Sequence, residues 1–182
     1  VKAEPEFEEM RRTELRIRLA VRRQRKEPMR IPQFFGVFLP EHDGIKDRYK
    51  FFVIEGPSGL GKTVFFRLAV PEGALFECNC ERCTEPYLKG IDPGVHKGIL
   101  MDEAKPSMII ACKKLFMAPD TWITLGTSNS NCNSYKVWIH SMLIMVASNT
   151  WTKDLKELPQ DDRDWIVKNS YHYIATSKLY QD

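Results

Sequence analysis

The segment Gly56-Pro-Ser-Gly-Leu-Gly-Lys-Thr63 has the residue types and the spacing that hold phosphate groups in proteins. Its glycines let the backbone curl so that successive N–H groups point at an anion, and a helix beginning at its end would add a positive terminus. Lys62 would neutralise the β- and γ-phosphates of a nucleotide, and Thr63 would bind Mg²⁺. We therefore predict a nucleotide-binding loop made of Gly56, Pro57, Ser58, Gly59, Leu60, Gly61, Lys62 and Thr63.

A pair of acids closes the apolar run Gly98-Ile-Leu-Met-Asp-Glu103. At the carboxyl end of a strand beside a phosphate loop, Asp102 would hold Mg²⁺ through water and Glu103 would polarise an attacking water. Acids at strand ends are commonly no more than solvated surface groups, but this pair follows a complete phosphate loop. The two features together predict hydrolysis of a nucleoside triphosphate rather than binding alone.

Two further polar residues are candidates for the same site. Asn149 ends a third apolar run, and its amide could contact the γ-phosphate or the attacking water, although Asn is also a frequent turn residue. Arg163 falls at a predicted helix start, where its guanidinium could reach the γ-phosphate bound by a neighbouring subunit. The residues alone favour the alternative for Arg163, which is an ion pair with a nearby aspartate: Asp161, Asp162 or Asp164.

Three cysteines lie close together in the sequence and could offer thiolates to Zn²⁺: Cys78, Cys80 and Cys83. Zinc normally takes four ligands, and a fourth is not evident; Cys112 or His96 could serve only if the fold brings them close. Reduced thiols are therefore favoured over a zinc site. The odd total of five cysteines, together with a polar start that has no secretory signal, predicts an intracellular protein without a disulfide framework.

Predicted strands alternate with predicted helices, which is typical of a mostly parallel sheet with helices on both faces. The strands span Tyr49–Glu55, Ala74–Cys78, Gly98–Asp102, Met142–Ala147 and Tyr171–Thr176, and the helices span Thr63–Val70, Ser107–Phe116 and Asp161–Lys168. A composition of 43% hydrophobic and 28% charged residues is that of an ordinary globular domain. No apolar run is long enough to cross a membrane, so no membrane partner is expected.

One stretch departs from this alternation. Trp122–Leu125 and Tyr135–Ile139 flank Gly126–Ser134, a segment rich in residues that tolerate tight turns. We predict a β-hairpin inserted before the strand at Met142. The tip of this hairpin contains Ser and Asn.

Positive charge is concentrated near the start of the chain. Residues 11–30 hold eight Arg and one Lys against two Glu, a local charge of +7 in a chain whose net charge is +3. No Gly or Pro interrupts Phe7 to Lys26, so we predict a basic helix that ends before Pro28. Residues 1–30 would form this segment and residues 31–182 the main domain; the helix could contact nucleic acid or another subunit, or be a solvated face.

The order of these features resembles the superfamily 3 helicases of small DNA and RNA viruses, including the replication-initiator (Rep) proteins of parvoviruses and circular single-stranded-DNA elements. The similarity runs roughly from residue 49 to residue 176. In that family the phosphate loop is motif A and the acid pair is motif B. An inserted hairpin follows, then a strand that closes on an Asn, as Ala147-Ser-Asn149 does, and then an arginine finger in a segment similar to Gln160-Asp-Asp-Arg163.

The resemblance implies an α/β fold: a three-layer P-loop NTPase, AAA+-like, with a mostly parallel central sheet and an inserted hairpin. It implies a ring of identical subunits that hydrolyses ATP with Mg²⁺ between subunits and moves single-stranded nucleic acid, DNA in preference to RNA. The residues that match the family's catalytic positions are Lys62, Glu103, Asn149 and Arg163. In the family a basic residue near the hairpin tip contacts the nucleic acid; here the tip is uncharged, and Lys136 on the returning arm is the charged candidate. The nuclease motifs of the Rep proteins, a His-x-His metal site and a catalytic Tyr, are not found, so no nuclease is expected.

Two other functions stay open at this level. A P-loop small-molecule kinase needs an Arg-rich lid, but the region between the motifs has only Arg67 and Arg82. A non-motor nucleotide-binding module, holding nucleic acid by phosphate charge, is favoured by the uncharged hairpin tip and opposed by the intact acid pair. A GTPase is not expected, because Thr152-Lys-Asp-Leu155 has Leu where guanine recognition needs Asp.

Overall fold

Five parallel strands form the central sheet of the protein. The computed structural model describes residues 26–31, 33, 50–126, 133–140 and 142–181. The strands are β1 (Glu27–Pro28), β2 (Phe51–Glu55), β3 (Leu75–Asn79), β4 (Gly98–Asp102), β5 (Ile123–Leu125), β6 (Tyr135–Val137), β7 (Leu143–Ser148), β8 (Ser170–Ile174) and β9 (Tyr180–Gln181). The helices are α1 (Lys62–Ala69), α2 (Pro106–Ala111), α3 (Lys113–Phe116), α4 (Trp151–Lys156) and α5 (Gln160–Asn169).

The strands of the central sheet lie in the order β3-β4-β7-β2-β8. The inner strands β2, β4 and β7 are buried along nearly their whole length, as their apolar sequences require, whereas the edge strands β3 and β8 are partly exposed. This confirms the predicted parallel sheet. The five strands agree with their predicted bounds to within two residues at each end.

Helices cover both faces of the sheet and make three layers. Alternate residues of β2 face opposite sides: Phe52 and Ile54 pack with α1, whereas Phe51 and Val53 pack with the other helices and the hairpin. α1 buries both Phe65 and its neighbour Phe66 completely. Burying one such aromatic side chain contributes on the order of 2 kcal/mol, so the helix that follows the phosphate loop is firmly held on the sheet.

The helices need two corrections to the sequence-based expectation. The predicted helix Ser107–Phe116 is two shorter helices, because the backbone at Cys112 leaves the helical region, with φ −113° and ψ 29°. α4 lies outside the predicted helices. Thr150 precedes this helix without a side-chain cap, and its hydroxyl instead donates to Asp154 Oδ2 one turn later at 2.7 Å.

The two ends of the described chain meet in a second, small sheet. β1 pairs with β9 antiparallel, with Pro28 opposite Tyr180, and the Met29 N–H donates to the Leu179 carbonyl at 2.9 Å. Leu179 and Ile31 are buried in the α1 side of the core. We call β1, β9 and the flanking residues Lys26 and Leu179 the terminal clip; its pairing is not expected from the sequence.

The inserted hairpin is present where it was predicted. β5 and β6 pair antiparallel, with Lys136 opposite Thr124. The hairpin is anchored to the loop that precedes β4: the Leu88 N–H donates to the Tyr135 hydroxyl at 2.9 Å, and the Gly126 N–H donates to Glu85 at 2.6 Å. Residues 127–132, which include the predicted tip, lie outside the described residues.

The predicted basic helix lies almost entirely outside the described residues, which begin at Lys26. The end of the predicted segment 1–30 contributes β1 to the terminal clip, so residues 27–28 are extended rather than helical. Among the helices that the structure describes, none is long and apolar enough to cross a membrane.

Candidate functional site

The phosphate loop begins at the carboxyl end of β2, in the interior of the sheet. The point where the chain leaves β2 is fixed by hydrogen bonds on both sides. The Gly56 N–H donates to the Ser148 carbonyl of β7 at 3.1 Å, and the Ala175 N–H, just beyond β8, donates to the Glu55 carbonyl at 2.7 Å. Ligands of open parallel sheets bind outside the carboxyl ends of the strands. The predicted nucleotide loop therefore lies where this class of fold binds ligands.

Two glycines give the loop its shape. Gly59 has φ +87° and Gly61 has φ +81°, a left-handed conformation that strains other residues. Gly61 is also the residue that caps α1, and the Phe65 N–H donates to its carbonyl at 2.7 Å. A side chain at Gly61 would collide with the Tyr180 ring, whose Cε1 lies 2.3 Å from the position of an added Cβ.

Lys62 is 8% exposed and its ammonium has three acceptors. Nζ donates to the Gly56 carbonyl at 2.6 Å, to the Pro57 carbonyl at 3.1 Å and to Asn149 Oδ1 at 2.7 Å. Because an ammonium only donates, the amide oxygen of Asn149 must be the atom that faces it. Two residues that were assigned separately to the candidate site, and that lie far apart in the sequence, are thus in direct contact.

Burial lowers the pKa of Lys62 below its ordinary value, while the negative charges of Glu103 and Asp102 oppose that shift. The two carboxylates are therefore close enough to act electrostatically on the ammonium. The predicted residues from three different strand ends, β2, β4 and β7, come together at one edge of the sheet.

Glu103 lies directly beyond β4 and has φ +55°, in the left-handed region. For a residue with a side chain this costs on the order of 1 kcal/mol. The turn is held by the Glu103 N–H, which donates to the Ala147 carbonyl of β7 at 2.8 Å. The Asn149 N–H lies close enough to the Glu103 carboxylate to lower its pKa, so the carboxylate is beside the residue that contacts Lys62.

Both acids have raised pKa values. Burial raises the pKa of Asp102, opposed by the charge of Lys62. Burial likewise raises the pKa of Glu103, opposed first by the hydrogen bond from the Asn149 N–H, while the negative charge of Asp102 adds to the rise. A carboxylate with a raised pKa is a better proton acceptor, which suits the role predicted for Glu103.

We expect Asp102→Asn to raise the melting temperature at pH 7. A carboxyl whose folded pKa exceeds its ordinary value of 3.8 contributes stability that is full below that value and lost as the pH rises through the folded pKa. The amide removes a charge that burial disfavours, so the gain should shrink as the pH falls toward 4. Thermal unfolding at both pH values measures this, with Asp120→Asn at an exposed position as the control. A lower melting temperature at pH 7 would contradict the expectation.

The residues fit a Mg²⁺ ion bound together with a nucleotide. Mg²⁺ is usually held by one or two carboxylates or hydroxyls plus substrate phosphates and water. Thr63 is half-buried in the first turn of α1, and its hydroxyl has no hydrogen-bond partner among the described residues. Thr63 and Asp102 are therefore available as the protein's oxygen ligands.

Arg163 lies in the first turns of α5 and makes no ion pair within the described chain. Its Nε is buried without a hydrogen-bond partner there. The nearby acids have other partners: Asp162 pairs with Lys113 at 2.8 Å, and Asp164 accepts from Gln160 at 2.7 Å. None of the three ion pairs that were considered for Arg163 forms among the described residues. Both interpretations of Arg163, the ion pair and the role towards a neighbouring subunit, stay predictions.

The cysteines do not gather around a common point. Cys78 Sγ lies 3.6 Å from Cys80 Sγ, whereas the Cys83 thiol is directed at the Asn79 carbonyl. In the described part of the chain, no group of three or more His, Cys, Asp or Glu side chains could hold a metal ion. The geometry of the described residues therefore does not support a zinc site at these cysteines.

A cavity of about 360 Å³ opens beside the site. Glu103 and Asn149 line it, and the other lining residues are polar or charged: Glu81, Arg82, Lys105, Ser148, Thr150 and Asp154. The cavity is within the size range of small-ligand sites. It provides space next to the carboxylate and the amide that are predicted to act on an attacking water.

A second polar network braces the loop and is not predicted from the sequence. Glu55, the last residue of β2, accepts hydrogen bonds from the N–H and the hydroxyl of Thr152, and it pairs with His172 Nε2 at 2.9 Å. It ties the strand that leads into the loop to α4 and β8. The sequence signal that could have indicated this network is a Glu at the end of an otherwise apolar strand, because a charge in that place would be unfavourable without partners.

No protein-family model matches the chain, and no curated protein matches it. Among solved structures the chain is similar to the S. cerevisiae Hsp104–ADP complex, with 14% sequence identity and a TM-score of 0.40. The match covers 74% of this chain and 30% of that chain.

Proposed function

We propose that the protein is an ATPase of the replication-initiator (Rep) type that hydrolyses ATP with Mg²⁺ to drive a helicase or translocase along single-stranded nucleic acid. The observation that carries the proposal is the hydrogen bond from Lys62 to Asn149. Glu103 lies beside the same residue, since the Asn149 N–H lowers its pKa. The residues proposed to bind phosphate, to polarise water and to contact the γ-phosphate thus lie in one site. A glycine-rich turn that did not bind phosphate would not be expected to lie beside both Glu103 and Asn149.

Each residue has a step in the proposed reaction. Lys62 would exchange its carbonyl and amide acceptors for β- and γ-phosphate oxygens, which are stronger acceptors because they are charged. Glu103 would take a proton from water as the water oxygen bonds to the γ-phosphorus and the bond to the β-phosphate oxygen breaks. Asn149 would orient that water or the γ-phosphate. Bound Mg²⁺, held through Thr63 and Asp102, would neutralise charge on the phosphates.

The nucleic-acid part of the proposal is supported by the hairpin. Lys136 is exposed on β6, and two residues along the chain Trp138 forms an edge-to-face pair with Trp122 at a ring-centroid distance of 5.6 Å. Trp122 is 58% exposed. Exposed aromatic rings next to a positive charge are the groups on which single-stranded nucleic acids stack.

The proposal of a homo-oligomeric ring is supported by Arg163. Its Nε is buried without a hydrogen-bond partner among the described residues, although three aspartates surround it in sequence. An arginine kept free of internal ion pairs is suited to stabilise charge on a phosphate bound by the next subunit.

Steady-state ATP hydrolysis with and without single-stranded DNA or RNA, with the mass in solution recorded alongside, tests the proposed function. We expect an oligomer whose turnover rises in the presence of single-stranded DNA, and less with RNA. ATP binding without turnover in every condition would overturn the proposal in favour of a nucleotide-binding module. Transfer of phosphate to a nucleoside acceptor would overturn it in favour of a kinase.

A further inference from the structure

The ring of Tyr180 lies against the phosphate loop. Atoms Cε1 and Cδ1 of the ring are 2.3 and 2.5 Å from the position that a Cβ on Gly61 would occupy. The ring edge therefore touches the glycine that caps α1, one residue before Lys62. Tyr180 is only half-buried, so part of the ring is open to a ligand.

The terminal clip holds this ring in place. The Leu179 N–H donates to the Leu60 carbonyl of the phosphate loop at 3.0 Å, and Leu179 is 2% exposed in the core. On the other side, Tyr180 is paired in register with Pro28 of β1. A residue anchored on both sides keeps its side chain in one position, which a binding surface requires.

The order of the strands indicates which way a bound nucleotide would point from its γ-phosphate to its base. Glu103 and Asn149, which act on the γ-phosphate in the proposed function, follow β4 and β7, on one side of β2. The other neighbour of β2 is β8, which leads into the terminal clip. With its γ-phosphate towards β7, a nucleotide in the loop extends its sugar and base towards β8, and therefore towards Tyr180.

The charge around the ring suits a nucleotide. The ammonium of Lys26 lies 3.7 Å from the ring centroid of Tyr180, and that of Lys178 lies 5.8 Å from it. Lys26 occupies one face of the ring, and a stacked nucleobase would take its place there.

We infer that Tyr180 is the nucleobase subsite of the phosphate loop, with the base of the bound nucleotide stacked on its ring. The inference rests on the proposed nucleotide binding and adds the residue that recognises the base. Stacking reads the flat face of a base and not its edge, so ATP and GTP depend on Tyr180 to the same extent.

Calorimetric titration of the full chain with two ligands that share their phosphates tests this subsite. MgATP carries a base, and magnesium tripolyphosphate does not. We expect Tyr180→Ala to weaken MgATP and MgGTP binding about tenfold or more and to change tripolyphosphate binding by less than about twofold. Tyr180→Phe, which keeps the ring, should bind MgATP as the unchanged chain does.

Two controls separate the subsite from the fold and from the proposed function. Tyr87→Ala removes a ring that is 64% exposed and should leave the affinity for every ligand unchanged. Equal weakening of MgATP and tripolyphosphate by Tyr180→Ala would overturn the subsite, because the ring would then only support the loop. Unchanged MgATP affinity would overturn it as well. If the unchanged chain bound neither ligand, the proposed function itself would fail.

Discussion

Glu103→Gln should lower the rate of ATP hydrolysis by about 10²- to 10⁴-fold while ATP still binds. The amide is close in size to the carboxyl and can keep its contact with the Asn149 N–H, but it cannot accept a proton from the attacking water. The left-handed turn at residue 103 is held by the backbone bond to the Ala147 carbonyl, which the substitution leaves intact. Single-turnover hydrolysis and ATP titration of the same preparation measure the two effects separately.

The matched control is Glu157→Gln, an exposed position beyond the end of α4. It should leave the hydrolysis rate within a factor of two of the unchanged chain. Full activity in Glu103→Gln would contradict the role given to this carboxylate and would point to another base. Loss of ATP binding in that variant would show instead that Glu103 shapes the phosphate site.

Lys62→Ala should weaken ATP binding by about 100-fold or more. A buried ammonium that binds two phosphates through charged hydrogen bonds contributes on the order of 3 kcal/mol or more. The fold should change little, because burial disfavours the charge that is removed. Titration with MgATP measures the affinity, thermal unfolding measures the stability, and Lys114→Ala at an exposed position of α3 is the control. Binding of MgATP unchanged by Lys62→Ala would refute the phosphate-loop assignment.

Mixing two inactive variants extends this prediction to the assembly. In such a mixture, some interfaces pair an Arg163→Ala subunit with a Lys62→Ala subunit. The first subunit supplies an intact phosphate loop and the second supplies an intact Arg163, so these interfaces have every group that the proposed reaction needs. We expect the mixture to recover part of the turnover that each variant has lost. Full turnover by Arg163→Ala alone would sink the proposed role of this guanidinium between subunits.

The contact between Lys62 and Asn149 also suggests how the site would respond to its substrate. In the proposed function, the ammonium that binds the phosphates is the group that Asn149 now contacts, and the Asn149 backbone lies beside the Glu103 carboxylate. When Lys62 turns to phosphate oxygens, the Asn149 amide is released to contact the γ-phosphate or the water. Binding and catalysis would then be coupled through one side chain.

Local patterns determined the elements of this protein. The apolar runs that become β2, β4 and β7 and the glycines of the phosphate loop are read from neighbouring residues, because strand burial and left-handed turns depend on residue type and short spacing. The hairpin arms follow from the same kind of signal. The break of the predicted helix at Cys112 and the short helix α4 are local as well, but the signals there are weaker.

Only the tertiary structure decided which of these elements meet. The sequence by itself determined that a phosphate loop, an acid pair and an asparagine lie at strand ends; the strand order β4-β7-β2-β8 decided that they share one edge. The contact of Lys62 with Asn149 and the closure of the terminal clip over Gly61 both join residues far apart in the chain. Such contacts depend on the order of the strands in the sheet and on the side of the sheet to which the chain returns. Periodicity and residue type do not predict that order.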